Sequence, residues 1–139
     1  MAESVLKELC RLNNIAIIVD SCGTGDYHIG DSPDHRTLDV LRSKGISTTH
    51  KGRQLCKRDF DEFDYIFCMD DSNLSNTKKI SPPSHKAKVA LLGSYGSTLI
   101  IEDPYFGGTE GFQTVYQQCL DACTGFLTEL GHNVTKTIL

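Results

Sequence analysis

Three polar segments of the sequence come directly after apolar runs, and their side chains are of types that act on ligands. The segments are Asp20–Thr24, Asp70–Asn73 and Glu102–Tyr105. In an open α/β sheet, ligands bind outside the carboxyl ends of the strands. If the apolar runs are parallel strands, the sequence predicts one edge of a sheet at which carboxylate, hydroxyl and amide groups meet.

Six cysteines could supply thiol chemistry or metal ligands: Cys10, Cys22, Cys56, Cys68, Cys119 and Cys123. The first ten residues carry two acids and lack the basic start and apolar stretch of a signal peptide, so we predict a cytoplasmic protein with reduced thiols. Cys119 and Cys123 would share a helix face, but no paired histidine or second Cys-x-x-Cys accompanies them. We interpret them as buried apolar side chains, and we expect neither a metal nor an organic cofactor.

The apolar patterns alternate between strand and helix. The predicted strands are Ile15–Val19, Phe63–Met69 and Lys88–Leu92, and the predicted helices are Ala2–Arg11, a helix capped by Asp34 that stops near Gly45, Leu74–Lys79 and Glu110–Leu130. Such alternation predicts an α/β fold with a mostly parallel sheet. The first helix has no strand before it, although a right-handed crossover normally carries a helix between two strands.

Length and charge exclude several classes of protein. At 139 residues the chain fits one domain, and no composition shift marks a second. The net charge of −4 and the pI near 5.7 disfavour binding to nucleic acid, which needs a basic face. No apolar run approaches the ~20 residues of a membrane-spanning helix, so we expect no membrane partner.

The order and spacing of the polar segments, with Leu91–Tyr95 and Val115–Cys119, resemble the low-molecular-weight protein tyrosine phosphatases from residue 2 to about residue 130. The resemblance implies a flavodoxin-like, mostly parallel sheet flanked by helices in a single domain over residues 1–139. It also implies hydrolysis of phosphotyrosine proteins and aryl phosphates by a cytoplasmic acid phosphatase. A cysteine thiolate attacks phosphorus, an aspartic acid protonates the leaving phenolate, and water clears the phosphocysteine.

The same resemblance implies roles for individual residues. It makes Asp103 the general acid, because a carboxylic acid on a Pro/Gly loop can reach a leaving oxygen. The aromatic walls of the substrate site would be Tyr27, Tyr105 and Phe106, with Phe106 standing where a second tyrosine is more usual. Ser21 and His50 would hydrogen-bond the phosphate-binding loop and hold its shape.

The family's Cys-x-x-x-x-x-Arg-Ser loop is not found in this sequence, since no cysteine is followed by an arginine six residues later. Met1–Glu3 matches the start of the helix that follows that loop. We therefore expect a chain that is N-terminally incomplete, with the first strand and the nucleophile loop upstream of Met1, and that is inactive or nearly so. Because that strand would lie inside the sheet, we also expect self-association through exposed strand edges.

Three interpretations remain open, and they leave open whether this chain is itself an enzyme. The chain could be an incomplete version of an active phosphatase, or a non-enzymatic truncated isoform that acts as a binding or regulatory protein. It could also resemble a thiol-dependent arsenate reductase of the same fold. The third needs resolving cysteines, and the Asp103-Pro104-Tyr105 sequence favours phosphate ester cleavage instead.

Overall fold

The computed structural model describes residues 1–105 and 107–138. The five α-helices within these ranges are α1 (Ala2–Leu12), α2 (His35–Ser43), α3 (Asp59–Glu62), α4 (Asp71–Ile80) and α5 (Thr109–Glu129). The two strands are β1 (Tyr65–Cys68) and β2 (Lys88–Leu91), and a 3₁₀ turn (Leu92–Tyr95) follows β2. In the described parts of the chain, no helix combines the length and apolar character needed to cross a membrane.

The sheet consists of β1 and β2, which run parallel and pair from Tyr65 with Lys88 to Cys68 with Leu91. Helix α4 forms the crossover between them, and Asp70 caps its start: the Asp70 carboxylate accepts a hydrogen bond from the Asn73 N–H at 2.7 Å. Such a cap satisfies a backbone donor that the first helical turn leaves without a partner. The predicted α/β fold with a parallel sheet flanked by helices is thus confirmed.

The strand predicted at Ile15–Val19 is wrong for this structure, which shows an extended segment there instead. Side chains alternate along it, because Ile15, Ile17 and Val19 pack against the core while Ile18 is 87% exposed. In the described part of the chain, the backbone of residues 16–20 makes no backbone hydrogen bond. A strand needs a neighbouring strand for its backbone hydrogen bonds as well as an apolar pattern. Residues 15–19 have the apolar pattern but no such neighbour in the described part of the chain.

The core is centred on α5, which packs against α1, α2 and the 3₁₀ turn. Four aromatic rings from the sheet, the turn and α5 pack together: Tyr65, Phe67, Tyr95 and Phe126. Four of their contacts are edge-to-face with centroids 4.8 to 5.3 Å apart, and the Tyr65–Phe67 pair is tilted at 5.6 Å. Gly125 lets the turn approach, since a Cβ on it would lie 1.9 Å from the Tyr95 carbonyl oxygen. This contact fixes where β2 ends relative to α5.

The C-terminal tail is tied to the end of α1 by the side chain of Asn13. Its amide nitrogen donates to the carbonyls of Leu9 and Lys136, and its oxygen accepts from the N–H groups of Thr135 and Lys136, at 2.8 to 3.1 Å. Ile138 then reaches the core and is buried there. One side chain therefore joins two segments more than 120 residues apart in sequence.

Candidate functional site

Two loops, residues 21–31 and 50–55, line a cavity of about 210 Å³. They are joined by backbone hydrogen bonds from Gly23 to Arg53, from Leu55 to Gly23 and between Gly52 and both Gly30 and Asp31. Gly52 permits this approach, because a Cβ there would lie 2.0 Å from the His28 carbonyl oxygen. Side chains that line the cavity include Ser21, Cys22, Tyr27, His28, His50 and Arg53.

Ser21 and His50 meet at one side of the cavity around a buried carboxylate. The Ser21 hydroxyl donates to Glu3 Oε1 at 2.9 Å, and His50 Nδ1 lies 3.0 Å from the same oxygen. The Ser21 oxygen also lies 3.4 Å from His50 Nε2. The structure thus brings together the two residues that the sequence assigned to loop support, at a point where they could shape a neighbouring backbone.

Glu3 is the partner that sequence reasoning missed, although a signal was present. It lies three residues before Leu6 and seven before Cys10, so it occupies the apolar stripe of α1, and it is only 6% exposed. A carboxylate on the buried face of a helix requires partners. That rule alone pointed to a polar cluster beneath the first turn of α1.

Arg53 organises the other side of the cavity. Its Nε donates to Asp20 at 2.8 Å, and its two terminal nitrogens donate to Asp59 at 3.0 and 3.1 Å. Burial opposes ionisation of both acids, but hydrogen bonds outweigh it and lower both pKa values. For Asp20 the donors are the Ser21 N–H and Arg53, and for Asp59 they are Arg53 and the Cys56 N–H. These charges are therefore paired within the protein.

Glu3, Asp20 and His50 are also the described group whose donor atoms lie close enough together, within 4.8 Å, to hold a metal ion. Each already has a protein partner: Glu3 accepts from Ser21, His50 lies against Glu3, and Asp20 accepts from Arg53. The hydrogen bonds account for the cluster without an ion. We assign no metal to it.

Asp103 lies at the carboxyl edge of the sheet on a separate segment. The Ile101 N–H donates to the Met69 carbonyl at 2.9 Å, just beyond the end of β1, and Asp103 follows two residues later. Its side chain is exposed and accepts a hydrogen bond from the Tyr105 N–H at 3.0 Å. This placement leaves the carboxyl group open to a ligand while its orientation is held.

The residues predicted to form the aromatic walls lie on two segments of the chain. Tyr27 is 85% exposed and lines the cavity, whereas Tyr105 is 56% exposed and lies on the Asp103 segment, which is not part of the cavity lining. Phe106 lies outside the described residues. The structure therefore shows two groups, one with Ser21, Tyr27 and His50 and one with Asp103 and Tyr105.

The described cysteine thiols are free. Burial raises the pKa of Cys10, Cys68 and Cys123, and it raises the pKa of Cys119 to about 11. Cys22 is an exposed residue, but partial burial of its thiol at the cavity wall raises its pKa to about 11 as well. A thiol acts as a nucleophile only as the thiolate, and nucleophilic cysteines have lowered pKa values. The surroundings of these five cysteines favour the protonated thiol, which is not nucleophilic.

The fold is an α/β domain with candidate site residues at the carboxyl end of its sheet, and comparison with known proteins identifies its family. The family model described as low molecular weight phosphotyrosine protein phosphatase matches residues 1–136. The chain belongs to this family. Two relatives carry that same name: one from Schizosaccharomyces pombe is 45% identical over 94% of this chain and 87% of its own length, and one from Homo sapiens is 47% identical over 91% and 84%.

Solved structures agree with the family assignment. The chain superimposes on the crystal structure of Primo-1 with a TM-score of 0.89 and 42% identity, covering 92% of this chain and 87% of that one. It is equally similar in fold to DARP, described as a Drosophila arginine phosphatase, with a TM-score of 0.89, 39% identity and coverage of 95% and 89%. The resemblance read from the sequence to this phosphatase family is confirmed.

Proposed function

We propose that residues 1–139 form one domain that supplies the general acid, the aromatic walls and the loop support of a phosphotyrosine phosphatase site. The observation that carries the proposal is the position of Asp103, exposed at the carboxyl edge of the sheet and oriented by the Tyr105 N–H. The buried Glu3–Ser21–His50 cluster supports it, because such a cluster can fix the shape of an adjoining phosphate-binding loop. Tyr27 and Tyr105 would contact the substrate's ring, and so would Phe106.

In this proposal Asp103 acts as an acid in the first chemical step. Attack of a thiolate on phosphorus breaks the bond to the phenolic oxygen, and the Asp103 proton passes to that oxygen as it leaves. Water then releases phosphate from the phosphocysteine. Phosphoryl transfer depends mainly on positioning and charge stabilisation, so the step also needs a cationic clamp on the phosphate.

We further propose that these 139 residues alone hydrolyse aryl phosphates at or near the background rate. None of the six cysteines is followed by an arginine at the sixth position, and burial raises the pKa of five of the thiols. Cys68 is the last residue of β1, at the carboxyl end of the sheet. It is nevertheless buried, and its thiol donates to Thr77 Oγ1 at 3.4 Å. That environment suits a packed side chain better than a nucleophile.

One added segment would supply both the nucleophile and the backbone partners of residues 16–20. A strand that pairs with residues 16–20 and runs into a Cys-x-x-x-x-x-Arg-Ser loop would complete a flavodoxin-like sheet and bring a nucleophile beside Ser21 and His50. The unpaired backbone of residues 16–20 supports this proposal. The six free thiols fit a reducing cytoplasm, and the proposed role of Asp103 as proton donor fits an acid phosphatase.

The test compares two proteins with phenyl phosphate between pH 4 and pH 8. One is the 139-residue chain, and the other is the same chain preceded by a β-strand and a Cys-x-x-x-x-x-Arg-Ser loop. We expect turnover with an acidic optimum only in the extended protein, and loss of that turnover when the added cysteine becomes serine. Turnover by the 139-residue chain that disappears on changing one of its own cysteines would contradict the proposal.

The role of Asp103 is tested separately in the extended protein. Asp103→Asn keeps the shape and removes the proton, so turnover of phenyl phosphate should fall by about a hundredfold or more. Turnover of 2,4-dinitrophenyl phosphate should change little, because its leaving group needs no proton. Equal losses with both substrates would remove Asp103 from the role of acid.

A binding or regulatory function without catalysis is the second candidate, and the solvent-facing side of the Ile15–Val19 segment favours it. Ile18 is 87% exposed beside a backbone with free hydrogen-bonding groups, which is the arrangement that recruits another strand. We propose that the 139-residue chain self-associates through this edge. Light scattering after size-exclusion chromatography should show dimers or larger species, and a monomer at all concentrations would exclude the edge contact.

A further inference from the structure

Arg36, near the start of α2, contacts the segment that carries Asp103. One terminal nitrogen of its guanidinium donates to the Tyr105 carbonyl at 3.0 Å, and the other donates to the Gly107 carbonyl at 3.3 Å. The guanidinium also lies 5.5 Å from the centre of the Tyr105 ring. A single planar side chain therefore holds this segment at two carbonyls and one ring.

Tyr105 connects Arg36 to Asp103, because its backbone makes a hydrogen bond with each of them. The Tyr105 carbonyl accepts from Arg36, while the Tyr105 N–H donates to Asp103 Oδ1 at 3.0 Å. The carbonyl and the N–H of Tyr105 belong to two planar peptide groups that meet at its Cα, so a fixed carbonyl leaves only the two backbone rotations of Tyr105 to change the direction of the N–H. The orientation of the Asp103 carboxyl group thus depends on a hydrogen bond that Asp103 itself does not make.

Arg36 is itself held rigidly. Asp34 accepts from its Nε at 3.1 Å and from Nη2 at 3.0 Å, and the same carboxylate caps α2 through the Arg36 N–H at 2.9 Å. The guanidinium lies 4.4 Å from the centre of the Phe112 ring on α5, and the side chain is 23% exposed. Contacts with Asp34 and with Phe112 on α5 therefore hold the Arg36 guanidinium independently of its contacts with the Asp103 segment.

We propose that Arg36 is a positioning residue: it restrains the backbone of Tyr105, and the Tyr105 N–H in turn orients the carboxyl group of Asp103 toward the leaving oxygen. The inference rests on the proposed role of Asp103 as general acid. Lysine could not substitute, because its single ammonium group cannot donate to Asp34, Tyr105 and Gly107 from one plane. The first-turn position of Arg36 would then link the start of α2 to the proton-transfer step.

The first measurement uses the 139-residue chain and does not depend on catalysis. Chymotrypsin can cut at residues 105–106 and after Tyr27, which is 85% exposed and serves as an internal reference. In Arg36→Lys, we expect the ratio of cutting at 105–106 to cutting at Tyr27 to rise about fivefold or more. Arg42→Lys on the same helix, where Arg42 is exposed and pairs only with Asp39 among the described residues, should leave the ratio unchanged.

The second measurement uses the extended protein and separates positioning from general loosening. Loss of a correctly placed acid slows poor leaving groups selectively, so Arg36→Lys should lower kcat for phenyl phosphate about tenfold and kcat for 2,4-dinitrophenyl phosphate less than twofold. Arg42→Lys should leave both values unchanged. A fall of equal size for both substrates would mean that Arg36 supports the fold rather than the acid.

The two measurements together decide the proposal. A raised cutting ratio with a selective loss of phenyl phosphate turnover supports it, and an unchanged cutting ratio overturns it. A raised ratio without selective loss also overturns it, provided that Asp103→Asn shows selectivity in the same protein. If Asp103→Asn itself shows no selectivity, the acid assignment in the proposed function fails and the positioning role of Arg36 falls with it, while the cutting ratio still reports whether Arg36 holds the segment.

Discussion

Two short apolar segments, Tyr65–Cys68 and Ile15–Val19, differ in what surrounds their backbones. The first forms β1 and pairs with β2 over four residues. The second is extended and alternates its side chains between core and solvent, yet its central backbone makes no backbone hydrogen bond in the described part of the chain. The comparison shows that side-chain burial can hold a segment in place without a ladder of backbone hydrogen bonds.

The largest loss of stability should come from a substitution beneath the paired strand β1. Phe126→Ala removes the ring that touches Tyr65, Phe67 and Tyr95 and leaves a cavity beneath the sheet. We expect the free energy of unfolding to fall by about 3–5 kcal/mol. Urea denaturation followed by circular dichroism measures this, and a loss below about 1 kcal/mol would mean that the cluster does not support β1.

Neighbouring substitutions in the unpaired segment test its alternation. Ile17→Lys places a charge against the core and should lower the free energy of unfolding by about 2 kcal/mol, whereas Ile18→Lys faces solvent and should change it by less than about 0.5 kcal/mol. Ile18→Lys should also weaken self-association, because a charged edge resists pairing. Similar destabilisation by both variants would contradict the alternating arrangement.

A smaller effect is expected from Arg53, which joins the cavity loop to α3. Arg53→Met leaves Asp59, 5% exposed, with a carboxylate that has lost two donors, and should cost about 1–2 kcal/mol at pH 7. The Asp59 pKa is lowered in the folded state, so the pair stabilises the protein above about pH 4 and stops doing so as the pH falls through the lowered value. The deficit measured by urea denaturation should therefore shrink between pH 7 and pH 3.

Arg58→Met provides the matched control for this change. Arg58 lies on the same stretch, pairs with Glu62 at 3.1 Å and is largely exposed. Exposed pairs of this kind contribute little, so the variant should match the parent within about 0.5 kcal/mol. An equal cost for both variants would show that burial of Asp59 does not matter.

The smallest effect is a titration rather than a loss of fold. The side chain and N–H of Arg36 hold the pKa of Asp34 at about 2. Because this value lies below the ordinary one of about 3.9, Asp34 stabilises the folded state above about pH 4 and its contribution disappears as the pH falls toward 2. Carboxyl chemical shifts in an NMR titration should show this, and an ordinary midpoint for Asp34 would contradict its pairing with Arg36.

The sequence predicted local features well. The pattern of apolar residues located four of the five described helices within a few residues but missed the four-residue α3. Asp34 caps α2 as expected, because caps and helical stripes depend on neighbours in sequence. Ser21 and His50 were placed in one group by resemblance to the family, and the structure brings them together. The strand at Ile15–Val19 failed because pairing depends on a partner that an apolar pattern does not specify.

Residues that act through distant partners could not be predicted. Arg53 bonds Asp20 from 33 residues away, and Arg36 reaches Tyr105 from 69 residues away, so their spacing along the chain carries no signal. Both look like ordinary surface arginines in the sequence. Glu3 was the exception, since its place on the buried stripe of α1 already required a partner.

The clamp formed by Asn13 has a consequence for the ageing of the protein. Its amide uses two donated and two accepted hydrogen bonds, so hydrolysis to aspartate would turn the donor into a charged acceptor facing the carbonyls of Leu9 and Lys136. Deamidation at this one position would therefore release the tail and withdraw Ile138 from the core. Stored samples would then lose their C-terminal order by a slow covalent change, visible as a mass increase of about one dalton, without any change in the encoded sequence.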